Sequence, residues 1–513
     1  MSAQLANNKR IAKNTILLYF RMLLMMAVNL YTSRVVLQVL GVEDYGIYNV
    51  VGGVIGLFGI ISGSLSTATQ RFITFGLGRN DTKYLNRVFS TSINIHIVMC
   101  VLIVVLAETI GLWFLNNEMQ IPTERINAAF WVYQCAVISA VIMIMSVPYN
   151  ATIIAHEKMG AFALISLLDG FLKLGIVYLL FIFRVDKLIL YSVLLVLIQL
   201  CIRSCYTIYC KRHFVETKIR FVYDIALIKE MGTFSVWSLW GNAACVSYTQ
   251  GLNILLNIFF TPTVNAARGI AVQVQSAINQ FVSNFQTALN PQITKSYASG
   301  DISYMHNLIF RSARFSFFML LLLSLPILIE TEAILQLWLT VVPPNTIVFL
   351  RLILLTTWIN SIANPLIISV KATGRIRQYE TTVGFLMLLI LPISYICLRL
   401  GYPPYSVFIV HLCMECVAQM ARILITKNLI GFSLISFLRN VLYRILLVTI
   451  VSLIFPVCIY FLIDKSFTSF LFVCFSSVLS SCISIYLFGL TKYERILIVN
   501  KITSLLYKIK QRK

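Results

Sequence analysis

The sequence predicts an all-α integral membrane protein of about fourteen transmembrane helices, built as two parallel six-helix repeats followed by two further helices. Composition is the first observation behind this. Of the 513 residues, 59% are hydrophobic and only 12% charged, with mean hydropathy +0.86. A soluble domain carries about 25% charged residues. The second observation is spacing. Apolar runs of about 20 residues recur from Ile16 to Leu490, and in hydrocarbon a run of that length satisfies its backbone as a helix. The third is an internal repeat at a shift of 220 residues, described below.

The predicted spans are 15–37, 46–69, 89–114, 128–149, 160–183, 188–209, 232–259, 264–290, 314–329, 346–370, 381–398, 405–425, 443–463 and 467–490. The seventh and eighth are polar enough for a hydropathy window to pass over one, which makes twelve the fallback. The first run is too long for a removable leader, carries Arg21, and reads as the first span. The second is crowded with Gly46, Gly52, Gly53, Gly56, Gly59 and Gly63. No strand precedes them, so they are not a phosphate loop, and small residues let membrane helices approach closely.

Charge orients the map. With the N-terminus in the cytoplasm, the great majority of the 41 Lys and Arg fall on the cytoplasmic side. Examples are Arg71, Arg79, Lys83 and Arg87, then Lys211, Arg212, Lys218 and Arg220, and the tail 507–513. This is the positive-inside pattern, with an even span number and both termini cytoplasmic. It accounts for the net charge of +22 through topology and anionic headgroups, with no need for nucleic acid. The outer loop 330–345 holds at most one interfacial helix. The inner loops 210–231 and 426–442 read as basic amphipathic surface helices. Most of the cysteines lie in apolar runs (Cys100, Cys135, Cys245 and Cys458 among them), where a thiol behaves as a small hydrophobe.

Shifted by 220, TATQRFITFGLGRNDTKY (67–84) lies over TALNPQITKSYASGDISY (287–304). Thr67/Thr287, Ala68/Ala288, Ile73/Ile293, Thr74/Thr294, Asp81/Asp301 and Tyr84/Tyr304 match. A second echo, shifted by 217, pairs VPYNATIIAHEKM (147–159) with NPLIISVKATGRI (364–376) through Pro148/Pro365, Ala155/Ala372 and Lys158/Arg375. The repeat divides the chain into a bundle over 1–220, a second over 221–430, and two extra helices with a basic tail over 431–513. An even number of spans per half makes the repeat parallel, and repeat transporters bind substrate between their halves.

The stretch NTILLYFRMLLMMAVNLYTSRVVLQVLGVEDYGIYNVVGGVIGLF resembles the first helix pair of the multidrug/oligosaccharidyl-lipid/polysaccharide (MOP) exporter superfamily. Arg34, Leu40, Gly41, Tyr45, Gly46 and Tyr48 carry the resemblance. More narrowly it resembles polysaccharide biosynthesis proteins of the Wzx O-antigen flippase type. The resemblance implies a MATE-like fold of two bundles around a central cavity. It implies a monomer in the bacterial inner membrane that flips polyprenyl-pyrophosphate-linked oligosaccharide, with Na⁺ or H⁺ as a candidate coupling ion. In the related lipid II flippases helix-1 arginines line a cationic cavity, and Arg21 and Arg34 are the residues that match.

Ionisable groups within spans are functional candidates by default. Arg21 and Arg34, about 20 Å apart along span 1, either snorkel to the two interfaces or contact phosphate, which a guanidinium fork suits. On span 8, Arg268, Gln275, Asn279 and Gln286 fall within about 20° of one line. On span 7, Asn242, Thr249 and Asn253 form a similar stripe. Such faces are expensive against lipid. They either hydrogen-bond between helices or line a cavity for a sugar-bearing substrate, the preferred reading. Asp169 and Lys173 stand at i, i+4 and can pair, as structural neutralisation or as a protonation relay. Glu415 in span 12 is a coupling-ion site or the partner of a basic group such as Arg351. A metal reading of His411, Cys413, Glu415 and Cys416 fails, because Cys413 and Glu415 diverge on a helix. No cofactor is expected. An enzyme is disfavoured by the short outer loops and the lack of a catalytic constellation. Drug or cation antiport is the alternative: the helix-1 arginines argue against it, and Asp169 keeps it open.

Overall fold

The computed structural model describes residues 2–56, 59–117, 121–182, 185–218, 224–339, 341–464, 466–492 and 494–496. Arg220 and the basic tail 507–513 lie outside the described residues. No strand occurs among those described. The long helices are α1 (Ser2–Gly56), α2 (Gly59–Arg79), α3 (Thr82–Asn117), α4 (Ile126–Ala155), α5 (Met159–Ile182), α6 (Lys187–His213), α7 (Ile225–Phe259) and α8 (Pro262–Ala298). Then come α9 (Ile302–Ile329), α10 (Thr346–Thr373), α11 (Arg377–Arg399), α12 (Ser406–Ile430), α13 (Leu434–Leu462) and α14 (Phe467–Gly489).

Eleven helices among the described residues are long and apolar enough to cross a membrane. Helices α2, α7 and α8 are long enough too, at 21, 35 and 37 residues, but too polar to be counted. With them every predicted span has its helix; the second is shared between the end of α1 and α2.

The chain forms two compact units. One comprises 1–243, 287–301 and 374–381, the other 244–286, 302–373 and 382–513. In the first, α1 packs along α5, while α4 lies against α2 and α6. Val36 and Leu40 of α1 meet Ile176, Val177 and Leu180 of α5 and Tyr191 and Ile198 of α6. Lipid is as apolar as these side chains, so their contribution is close van der Waals packing rather than removal from water. In the second unit α10 and α11 pack on α12, and the pair α13–α14 lies on α9. Buried Arg314 of α9 fixes that pair, donating to Gly489 O at 3.2 Å and to Glu494 at 2.9 Å.

The motif around Gly41 is a corner. Gly41 sits at φ 78, ψ 171 and breaks α1 into two helical stretches, a conformation that glycine adopts without a Cβ clash. Asp44, just beyond it, pairs with Arg125 at 2.6 Å, and Arg125 also pairs with Asp186, the N-cap of α6. The Tyr48 and Tyr191 rings meet edge to face at 5.1 Å. Close packing is not what the glycines beyond it provide: a Cβ on Gly46, Gly59 or Gly63 would meet nothing within 4 Å. The surroundings of Gly52, Gly53 and Gly56 lie outside the described residues.

The repeat is visible in the backbone. Asn80 (φ 56) and Gly300 (φ 80), 220 positions apart, both take the left-handed conformation immediately before Asp81 and Asp301. Asp81 caps α3 by accepting from Tyr84 N at 2.9 Å. Glu157 (φ 58) and Gly374 (φ 79) are likewise the same position at a shift of 217. Ala68/Ala288, Ile73/Ile293 and Ala155/Ala372 are buried in both copies.

Two of the loops differ from expectation. Instead of surface helices over 210–231 and 426–442, the spans run on into the loops. Helix α6 continues to His213, a 3-10 turn covers Val215–Thr217, and α7 starts at Ile225. Helix α12 continues to Ile430, is capped by Gly431 at φ 71, and α13 begins at Leu434. A helix of α7's length spans about 50 Å, well beyond a hydrocarbon core of about 30 Å, so the charged ends reach past the membrane without a separate element. The loop 330–345 carries one short helix, Thr331–Trp338.

Candidate functional site

A strongly polar cavity lies within the first unit. It has a volume of about 520 Å³ and is walled by α1, α2, α4, α5 and α6. Arg21 enters it, half-buried, from α1. Its Nη1 donates to Ser166 Oγ at 3.2 Å, and the guanidinium lies 4.6 Å over the Phe162 ring. Its Nε is buried with no hydrogen-bond partner. One face of α5 supplies Ser166, Asp169 and Lys173, at the 3–4 spacing that aligns side chains along a helix. Lys173 Nζ donates to Asp169 Oδ2 at 2.7 Å, so the two predicted partners do pair.

Helix α4 carries a proline here. Pro148 lacks an N–H and its ring crowds the preceding turn. Beside it, Ser146 and Asn150 face the cavity. Asn150 Oδ1 is buried and accepts no hydrogen bond. Ser62 and Ser66 of α2 and Gln199 and Tyr206 of α6 complete the polar wall. Among the described residues the lining holds two cations, a single carboxylate already held by one of them, and a set of amides and hydroxyls. Such a surface offers charge-assisted hydrogen bonds to an anion and neutral ones to sugar hydroxyls.

Of the predicted residues, Arg21, Asp169 and Lys173 are brought together here. Arg34 is exposed on α1, outside this lining. The stripe residues sit elsewhere, and most are engaged by neighbouring helices. Buried Arg268 donates to Asn253 Oδ1 and, at 2.9 Å, to Thr249 O, which fastens α8 to α7. Gln275 donates to Thr357 Oγ1 at 2.8 Å, and Gln286 to Ser316 Oγ at 3.1 Å and Ser361 O at 3.3 Å. Asn242 donates to Ser64 Oγ at 2.8 Å, while Asn279 is exposed.

Glu415 does not pair with Arg351. It is bound by Arg422, seven residues on along α12, with Gln419 between them. Arg351 instead donates from Nε to Thr331 Oγ1 at 3.2 Å. An offset of seven returns to the same face of a helix, so the Glu415–Arg422 pair was readable from spacing alone. His411 stacks obliquely near Tyr248, with ring centroids 5.2 Å apart. Among the described residues no group of three or more His, Cys, Asp or Glu is placed to hold a metal ion.

Sequence reasoning missed Ser62, Ser66, Ser146, Asn150, Gln199 and Tyr206. Their signal is a set of short stripes: Ser62/Ser66 and Ser146/Asn150 at offset four, and Gln199/Tyr206 at offset seven. Each is weaker than the long stripe of α8, and only the fold adds them together.

No protein-family model and no curated protein matches the chain. Solved structures do. A crystal structure of a MATE mutant superposes with TM-score 0.72 at 14% identity, covering 83% of this chain and 96% of the other. The outward-facing conformation of a multidrug resistance MATE family transporter of the MOP superfamily gives 0.71 at 15% identity, with the same coverage. A MOP superfamily transporter from Pyrococcus furiosus, in which reversed polarity of the binding pocket suggests a different function, gives 0.65 at 15% identity and the same coverage. The fold is MATE-like.

Proposed function

We propose that this chain is a flippase that carries polyprenyl-pyrophosphate-linked oligosaccharide units across the bacterial inner membrane for surface polysaccharide or O-antigen synthesis. The observation that supports it is the cavity: Arg21 with an unpartnered Nε, Asn150 with an unpartnered Oδ1, and a lining rich in hydroxyls and amides. In this reading Arg21 takes the pyrophosphate, while Asn150, Gln199 and the serines take sugar hydroxyls. The lipid tail remains in the bilayer. The halves 1–220 and 221–430 alternate access, 431–513 is an appendage, both termini are cytoplasmic, and the protein acts as a monomer.

In the Pyrococcus furiosus neighbour reverse polarity of the binding pocket suggests a different function, and the polarity of the present cavity is read in the same spirit. A cation antiporter requires an available carboxylate. Asp169, the only carboxylate in this cavity among the described residues, is bound by Lys173. Asp169 is nonetheless the observation that favours the second reading, a MATE-type drug or cation antiporter driven by Na⁺ or H⁺. In that case Lys173 is displaced by the coupling ion.

The test is lipid-linked glycan accumulation in cells lacking the protein, complemented with wild type, Arg21→Ala or Arg268→Ala. Accumulation that wild type clears and Arg21→Ala does not supports the flippase and its cavity. No accumulation without the protein rejects the flippase, and drug efflux then becomes the assay.

A further inference from the structure

Arg21 is held by a single turn of α5. Phe162 and Ser166 stand one turn apart on that helix, so both reach the same side of α1. The Phe162 ring lies 4.6 Å from the guanidinium carbon, and Ser166 Oγ accepts from Nη1 at 3.2 Å. Gly170, the next position on the same face, lets the two helices approach. A Cβ there would stand 2.6 Å from Sδ of Met25, which is one turn beyond Arg21 on α1. The arginine is thus seated in a close helix contact before any ligand arrives.

The Ser166 hydroxyl is committed within the protein. A hydroxyl has one proton and two acceptor sites. Ser166 donates its proton to Phe162 O at 2.8 Å and accepts from Arg21. Buried Tyr206 of α6 has its hydroxyl beside both Ser166 and Arg21. Ser166 therefore has no proton left for a ligand, which sets it apart as a residue that acts through Arg21.

Holding Nη1 decides which part of the guanidinium fork is left. Nη1 is engaged by Ser166, the ring fixes the guanidinium from one side, and Nε has no protein partner. The remaining edge is Nε with Nη2. Two parallel N–H groups along one edge match two oxygens of one phosphate, a match that the point charge of a lysine does not offer.

Resting on the reading that Arg21 takes the pyrophosphate, we propose that Ser166 is a positioning residue: it ties down Nη1 so that Nε and Nη2 together grip one phosphate group of the ligand. Phe162 holds the plane of the fork, and Tyr206 stands behind Ser166.

The experiment uses the purified full-length chain in phosphatidylcholine nanodiscs, with added polyprenyl pyrophosphate or polyprenol and bound ligand counted by native mass spectrometry. Wild type is expected to bind polyprenyl pyrophosphate over polyprenol. Ser166→Ala is expected to weaken pyrophosphate binding about fivefold, with polyprenol binding and thermal melting as in wild type. Ser166→Thr keeps the hydroxyl and is expected to restore binding. Arg21→Lys is expected to lose as much as Arg21→Gln, roughly tenfold or more. If Arg21→Gln loses pyrophosphate binding while Ser166→Ala binds as wild type, the positioning role is overturned and the phosphate contact of Arg21 stands. Full binding by Arg21→Lys overturns the two-donor grip. Equal loss of both ligands and of melting temperature in Ser166→Ala reduces Ser166 to a packing residue and overturns the proposal. Unchanged binding by Arg21→Gln overturns the proposal together with the reading it rests on.

Discussion

The cavity around Arg21 and the stripe around Arg268 have the same ingredients, an arginine among amides and hydroxyls, and the opposite use of them. Arg268 lies against Thr249 O and Asn253, Gln275 against Thr357, and Gln286 against Ser316 and Ser361. Nε of each arginine is buried with no protein partner, but Arg21, with Asn150 and its unpartnered Oδ1, lines a space of about 520 Å³. A polar residue in a membrane helix therefore has two uses, and side-chain type does not decide which. How much of the side chain the neighbouring helices engage does: both terminal nitrogens of Arg268 donate to α7, whereas one of Arg21 donates to α5.

The comparison is sharpened first at a deeply buried ion pair, Glu415 with Arg422. Glu415→Gln removes the charge that Arg422 faces in the interior of α12. Breaking a buried pair from one side costs about 3–5 kcal/mol, so the melting temperature of the purified protein should fall by several degrees. Arg268→Ala comes next. It leaves Asn253 Oδ1 and the Thr249 carbonyl without their donor, which costs roughly 1–3 kcal/mol each at full burial. Thermal melting should drop, and transport should fall only in proportion to folded protein. A normal melt with lost transport would move the substrate site to the stripe.

Arg21→Gln should reverse that pattern, with stability changed by less than about 1 kcal/mol and transport of the glycan lipid reduced at least about tenfold, the effect of one lost charge-assisted contact. Asp169→Asn is the mildest change. Its pair with Lys173 is partly exposed, at 25% and 35%, and such pairs contribute about 0–1 kcal/mol. Melting should hold. In the flippase reading transport persists, whereas in the antiporter reading dependence on Na⁺ or H⁺ disappears, which a gradient-driven uptake assay in proteoliposomes distinguishes.

Much of the fold was legible because membrane physics leaves few options. Runs of about 20 apolar residues become helices, and the echo at shifts of 220 and 217 reappears as left-handed residues at Asn80/Gly300 and Glu157/Gly374. The Asp169–Lys173 pair followed from i, i+4 spacing. The extent of the spans into the loops 210–231 and 426–442 was not legible. A basic amphipathic stretch has the same pattern whether it lies on the surface or continues a span. Nor was the choice between cavity and staple at α7 and α8. The stripe gives a direction around one helix, while the distance to Thr357, Ser316 or Ser361 depends on residues far along the chain. Glu415 was offered Arg351 across the fold when Arg422 stood two turns away on the same face.

The most direct test is translocation of a fluorescent polyprenyl-pyrophosphate oligosaccharide in proteoliposomes made with wild type, Arg21→Gln and Arg268→Ala, each normalised to folded protein. The account predicts that Arg21→Gln loses translocation while Arg268→Ala retains it per folded molecule. Retained translocation by Arg21→Gln, with loss by folded Arg268→Ala, would contradict it.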